Sequence, residues 1–150
     1  MHEILIEAFK RHLKETLPLI EQLTEVNIMS KPCPECKEIG EVILHMVRST
    51  EFYMNGITTN QWESLNYSLD QYDSAEAIID LATDVFKRLE VYTRMISIGD
   101  LGRKVKPFDQ SVTIAELLLE MIEHSIHHRG QLTVYYRVLG IKPKTISYII

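Results

Sequence analysis

Every strongly periodic segment of this chain repeats its apolar residues at three or four positions, and none alternates as a strand would. The core must therefore be built from helices. The best delimited of them runs from Thr113 to Gly140. Thr113 and Glu116 have the spacing of a capping box, and Gly140 stands where a helix ends in a left-handed residue. Between them Ile114, Leu117, Leu118, Met121, Leu132, Tyr135 and Leu139 form one apolar stripe. His124 and His128 fall on that stripe one turn apart, so both imidazoles are expected to point inward.

Three more helices follow from the same periodicity. The first covers about His2–Val26, with Leu5, Phe9, Leu13, Leu17, Ile20 and Leu23 on its inner face, and Pro18 is expected to kink or split it. His12 lies beside that stripe and is expected to face solvent. The second covers about Lys37–Asn55 and contains the run Val42-Ile43-Leu44-His45-Met46-Val47, where a histidine interrupts five apolar residues. The third, about Ala75–Ile98, starts after the N-cap candidate Ser74 and ends near Gly99. The connector 56–73 carries Trp62, Tyr67 and Tyr72, the ordinary role of which is to anchor a loop. Asp100–Val112 reads as a loop or short extended turn. Beyond Pro143 the tail Thr145–Ile150 is apolar enough to pack along the bundle or against a second subunit. The pattern specifies an all-α, four-helix bundle with long connectors.

A length of 150 residues suits a single domain spanning 1–150. The net charge is −5 with no long basic run, which argues against nucleic acid or an anionic membrane surface as partner. The first residues lack the basic and apolar segments of a signal peptide, and no apolar run is long enough to cross a bilayer. A cytoplasmic protein is expected. Cys33 and Cys36 are the two cysteines. One C-x-x-C without a βαβ context or a second pair points neither to a disulfide framework nor to a four-thiolate metal site, and is expected to be a loop with two ordinary thiols.

Buried imidazoles need partners for their nitrogens. His124 and His128 are open to two readings: core histidines bonded across the bundle, or a pair sharing one metal ion. His45 lies in the other strongly apolar context, and together His45, His124 and His128 would supply three nitrogen ligands from two helices. Three imidazoles leave a coordination position open, as in catalytic rather than structural zinc sites. His127 could replace His128 at i, i+3 or carry protons, but i, i+4 stays closer to the stripe. Glu120 and Glu123 are carboxylate alternatives, Glu120 borderline and Glu123 off the inner face. Arg129 is expected to face an acid or a subunit interface, and Gln131 to bond a ligand or bound water.

His45 in its apolar run, His124-Ser125-Ile126-His127-His128-Arg129-Gly130-Gln131-Leu132 and Tyr135-Tyr136-Arg137-Val138-Leu139-Gly140 together resemble the DinB (damage-inducible)/YfiT-like family. The likeness extends over essentially the whole chain. It implies a four-helix bundle, a homodimer, and a divalent metal ion, zinc or nickel, held by His45, His124 and His128. Relatives with assigned activities are thiol-dependent S-transferases, a maleylpyruvate isomerase and metal-dependent hydrolases. The implied partner is a small-molecule substrate, such as a low-molecular-weight thiol. Catalytic residues beyond the ligands are not specified. The alternative is a non-catalytic, stress-related bundle whose metal or histidine cluster is structural.

Overall fold

A computed structural model describes residues 1–147. It contains four long helices: α1 (His2–Glu21), α2 (Ile39–Thr59), α3 (Ala75–Thr93) and α4 (Ile114–Val138). A 3-10 turn, Gln22–Glu25, extends α1, and a second occupies Ile98–Asp100. Two short strands, β1 (Lys104–Val105) and β2 (Val112–Thr113), pair antiparallel just before α4. The chain is an all-α four-helix bundle.

The helices do not pack in chain order. α2 lies against α3 and α4, and α1 also lies against α3 and α4, so α1 and α2 occupy one diagonal and α3 and α4 the other. The connectors before α2 and before α4 each cross a diagonal of the bundle. Between the four helices Phe9, Leu19, Ile20, Ile43, Leu44, Val47, Ile78, Leu89, Leu132 and Tyr136 lie wholly out of water. Buried polar groups find partners across the same seams. Tyr136 Oη donates to the Leu19 carbonyl at 2.6 Å, tying α4 to α1, while the Thr50 and Ser125 hydroxyls meet at 3.0 Å between α2 and α4.

The expected start and stop of α4 are both present. Glu116 N donates to Thr113 Oγ1 at 3.2 Å, and Thr113 N donates to Glu116 Oε2 at 2.8 Å. At the other end Gly140 takes φ +84°, Gly140 N donates to Arg137 O, and Ile141 N donates to Tyr136 O. These are the paired bonds of a Schellman motif. Ser74 caps α3 as expected, accepting from Ala77 N at 3.1 Å.

Other boundaries differ from the sequence expectation. α1 runs unbroken through Pro18, and the carbonyl deprived of its amide belongs to exposed Lys14. α3 stops at Thr93, short of the glycines. α2 continues past Gly56 to a left-handed Asn60, whose amide donates to Gly56 O at 2.8 Å. Gly56 lies inside the helix because the ring of Trp62 rests on it, in space that a Cβ would need. Gly56→Ala is therefore expected to destabilise by about 1–3 kcal/mol through overpacking, against a helix-propensity gain of roughly 1 kcal/mol. Urea unfolding followed by the fluorescence of Trp62, the chain's single tryptophan, measures the balance.

The connector aromatics are anchors. Tyr67 Oη donates to buried Glu51 at 2.6 Å, Arg88 Nε donates to the other Glu51 oxygen at 2.7 Å, and the Tyr67 and Tyr72 rings meet edge to face. His12, expected in solvent, is buried at 2% exposure. Its position beside the stripe turns inward where α1 sits between α3 and α4. Arg129 is likewise buried within the chain, at 8% exposure. The described part of the tail packs along α1: Lys144 N donates to Gln22 Oε1, Ser147 N to Glu15 Oε2, and Ile146 touches the core. The rest of the apolar tail, 148–150, lies outside the described residues.

Candidate metal centre

α2 and α4 are neighbours, and the histidines meet in the seam between them. In α2 the apolar run Val42–Val47 is buried apart from His45, which is half-buried and aimed at α4. In α4 His124 and His128 sit one turn apart on the facing side. The Nε2 atoms of His45 and of His128 each lie 3.2 Å from Nε2 of His124. One nitrogen from each ring lies within 4.8 Å of the other two. The rings are edge-on, with interplanar angles of 69–83°, so nitrogens rather than ring faces converge.

This geometry fits a metal ion. Two nitrogens bound at about 2.0–2.1 Å to one tetrahedral ion lie roughly 3.3 Å apart, close to the two 3.2 Å separations. Hydrogen bonding alone serves the cluster less well. His124 Nε2 carries either one hydrogen or one lone pair, so it makes a well-directed bond to only one of its two neighbours. A cation takes a lone pair from all three.

Electrostatics favour the neutral rings that such an ion requires. Burial is the main cause lowering all three pKa values. For His45, burial with the positive fields of His128 and Arg48 brings it to about 4. His124 is lowered by burial and then by His128 and His127. His128 is lowered by burial, with the hydrogen bond to Gln131 acting in the opposite direction.

That bond also fixes which nitrogen is free. His128 Nδ1–H donates to Gln131 Oε1 at 2.8 Å, leaving Nε2 with its lone pair, and Gln131 Nε2 donates to Tyr135 Oη at 3.3 Å. Gln131→Leu is expected to weaken divalent-metal binding about 10–100-fold, the usual cost of losing an outer partner of a ligand. Competition against a chromophoric chelator measures it, with helicity unchanged. His45 lacks an equivalent acceptor in Arg48, which approaches Nδ1 at 3.5 Å but has only hydrogens to give. Arg48 is held instead by Glu41 Oε1 at 2.6 Å and the Tyr67 carbonyl at 2.8 Å.

A cavity of about 340 Å³ opens beside the rings, lined by His45, His128, Gln131 and Tyr135 and by Glu35, Cys36 and Lys37 from the connector ahead of α2. His127 is exposed at the edge of this cavity, its ring 5.0 Å from that of His128, and stands apart from the three-histidine group. Glu120 and Glu123 are exposed and do not join the group. Trp62 lies elsewhere, against Phe52 and Gly56.

The connector wall was not anticipated from sequence. Its one signal was position: the C-x-x-C motif ends three residues before the first residue of α2, and six helical steps of about 1.5 Å each separate that start from His45. Cys33 and Cys36, expected to be separate thiols, form a disulfide within a turn in which Cys36 N donates to Cys33 O at 3.0 Å. The side chains are close because that turn folds the motif back on itself, with Cα atoms 5.1 Å apart.

Comparison with known proteins agrees with this architecture. The chain is 24% identical over 139 residues to the uncharacterized protein YjoA of Bacillus subtilis (strain 168), covering 91% of this chain and 89% of that protein. The crystal structure of that DinB-like protein superposes with a TM-score of 0.79 at 22% identity, over 97% of this chain and 99% of the other. With a bundle of this form and a three-histidine group able to hold a metal ion, and with the DinB family model matching residues 2–149, the chain belongs to the DinB family.

Proposed function

We propose that this DinB-family protein is a metal-dependent enzyme that binds zinc or nickel through His45, His124 and His128 and acts on a small molecule, as a thiol S-transferase or a hydrolase. The observation that carries this reading is the convergence of three Nε2 atoms beside a cavity, with no fourth protein ligand in the group among the described residues. A divalent ion held there would lower the pKa of a thiol or water and present it as a nucleophile. The chain's own residues do the rest. His45, His124 and His128 offer neutral lone pairs, Gln131 orients His128, and Val42 and Tyr135 supply apolar wall. Lys37 at the cavity edge favours an anionic substrate, a property of many low-molecular-weight thiols, and His127 is placed to exchange protons with solvent.

The test is metal analysis of protein purified without an affinity tag, followed by assays of the metal-loaded protein with thiol–electrophile pairs and with simple esters and amides. Near-stoichiometric metal and turnover lost with His128→Ala are expected. Tight metal binding with no turnover across that panel would favour the non-catalytic, metal-stapled alternative. The outer face of α4 supports a homodimer: Leu119, Ile126, Val134 and Val138 recur at helical spacing and are 44–59% exposed. An apolar stripe of this kind on a helix suits a second copy of the chain. Sedimentation of an Ile126→Glu, Val134→Glu variant tests it.

A further inference from the structure

Cys36 lines the same cavity as His45 and His128, whereas Cys33 is not part of the cavity lining. The disulfide joining them therefore ties a residue of the cavity wall to one that does not line the cavity. The turn that presents them does not depend on that bond alone. Ile39 N donates to Ser30 O at 2.9 Å and Gly40 N to Ile28 O at 3.0 Å, so backbone hydrogen bonds hold both ends of the loop against the start of α2. With its ends held by these bonds, the loop is expected to keep Cys36 in the cavity wall after the sulfurs are separated.

A disulfide sulfur is a poor metal ligand, and a thiolate is a strong one for zinc and similar ions. Three imidazoles with one thiolate complete a four-ligand nitrogen and sulfur set, which closes a site that three imidazoles leave open. We propose that Cys36 is a redox-gated fourth ligand of the histidine centre: oxidised, the Cys33–Cys36 pair leaves the site open to substrate, and reduced, Cys36 coordinates the ion and closes it. This rests on the metal-binding reading above.

The chemistry balances with a thiol reductant. Two molecules of a low-molecular-weight thiol reduce the Cys33–Cys36 bond. The first attacks one sulfur to give a mixed disulfide and frees the other cysteine. The second displaces the protein thiol, leaving two cysteine thiols and one small-molecule disulfide. Cys36 then gives up its proton to solvent as its sulfur binds the ion. Re-oxidation of the pair restores the open site, with a small-molecule disulfide as oxidant by the reverse exchange.

Cobalt(II) serves as probe because thiolate ligation gives a near-ultraviolet charge-transfer band that histidine ligation lacks. The full chain is loaded with cobalt in its oxidised form, then treated with a phosphine, which reduces disulfides without offering a competing thiol. The charge-transfer band is expected on reduction and at least tenfold tighter cobalt binding with it. Cys33→Ser, which leaves Cys36 free, is expected to show the band without reductant, and Cys36→Ser under neither condition. Cobalt bound by the histidines in both redox states, with no thiolate band in the reduced protein or in Cys33→Ser, overturns the role of Cys36 and leaves the metal site standing. Cobalt binding that His124→Ala does not weaken overturns the metal site, and this inference with it.

Discussion

Substituting His124 by alanine is expected to remove divalent-metal binding almost entirely. Its Nε2 is the atom common to both 3.2 Å pairs, so its loss leaves His45 and His128 without the donor that lies close to each. Loss of an outer hydrogen-bond partner costs about 10–100-fold, and loss of a ligand itself should exceed that range. The fold should survive. His124 is only half-buried, and among the described residues its side chain makes one interhelical contact, to His45, so the metal-free variant should unfold within about 1 kcal/mol of the wild type. The difference appears when metal is added. A ligand that binds only the folded chain stabilises it by about 4 kcal/mol at a thousand times its dissociation constant. The wild type should gain an upward shift in Tm with zinc or nickel that His124→Ala lacks, and His127→Ala should keep nearly all of it, because His127 stands at the cavity edge. Equal thermal gains in wild type and His124→Ala would place the metal elsewhere.

The residues of that test were legible in the sequence because each sits where periodicity and polarity conflict. His124 and His128 occupy stripe positions of a helix whose two ends are marked by side-chain chemistry, and His45 interrupts an otherwise apolar run. Local signals of that kind survive without knowledge of the tertiary fold. The features that escaped are set by distant contacts. Gly56 looks like a helix stop, yet it is a site of contact with Trp62, and the real stop is Asn60 in a left-handed conformation. His12 looks like a surface residue on a single-helix projection, but the two flanking helices widen the buried arc of α1. The disulfide and its place in the cavity wall depend on how the connector folds back on the start of α2, which no spacing rule for a lone C-x-x-C contains. Thus the helix count and the inward histidines were readable, whereas the wall of the site was not.

Acid should destabilise the metal-free protein well above the range in which its carboxylates titrate, and His12 should be the main cause. The ring is buried, and its ring nitrogens approach Thr16 Oγ1 at 3.4 Å, while that hydroxyl donates to the His12 carbonyl at 2.6 Å. Burial first, and then the positive charge of Arg129, lower its pKa from 6.5 to about 3. The unfolded chain therefore binds a proton between these values that the native chain refuses, and stability falls as pH falls through that window. The contribution is fully present above about pH 6.5. Each pH unit below that costs about 1.4 kcal/mol for one such group, so a drop from pH 6.5 to 4.5 removes on the order of 3 kcal/mol. His45 shifts in the same direction, but it is half exposed and solvent screening reduces its share. Urea unfolding in the presence of chelator at pH 7.5, 6.5, 5.5 and 4.5 should show this loss. A His12→Met variant, which fills similar volume without a titratable group, should lose about one proton's worth of slope while keeping a cooperative transition. Parallel curves for the two proteins would mean that His12 accepts its proton in the folded state, and that the packing of α1 against α3 and α4 does not exclude charge from its ring.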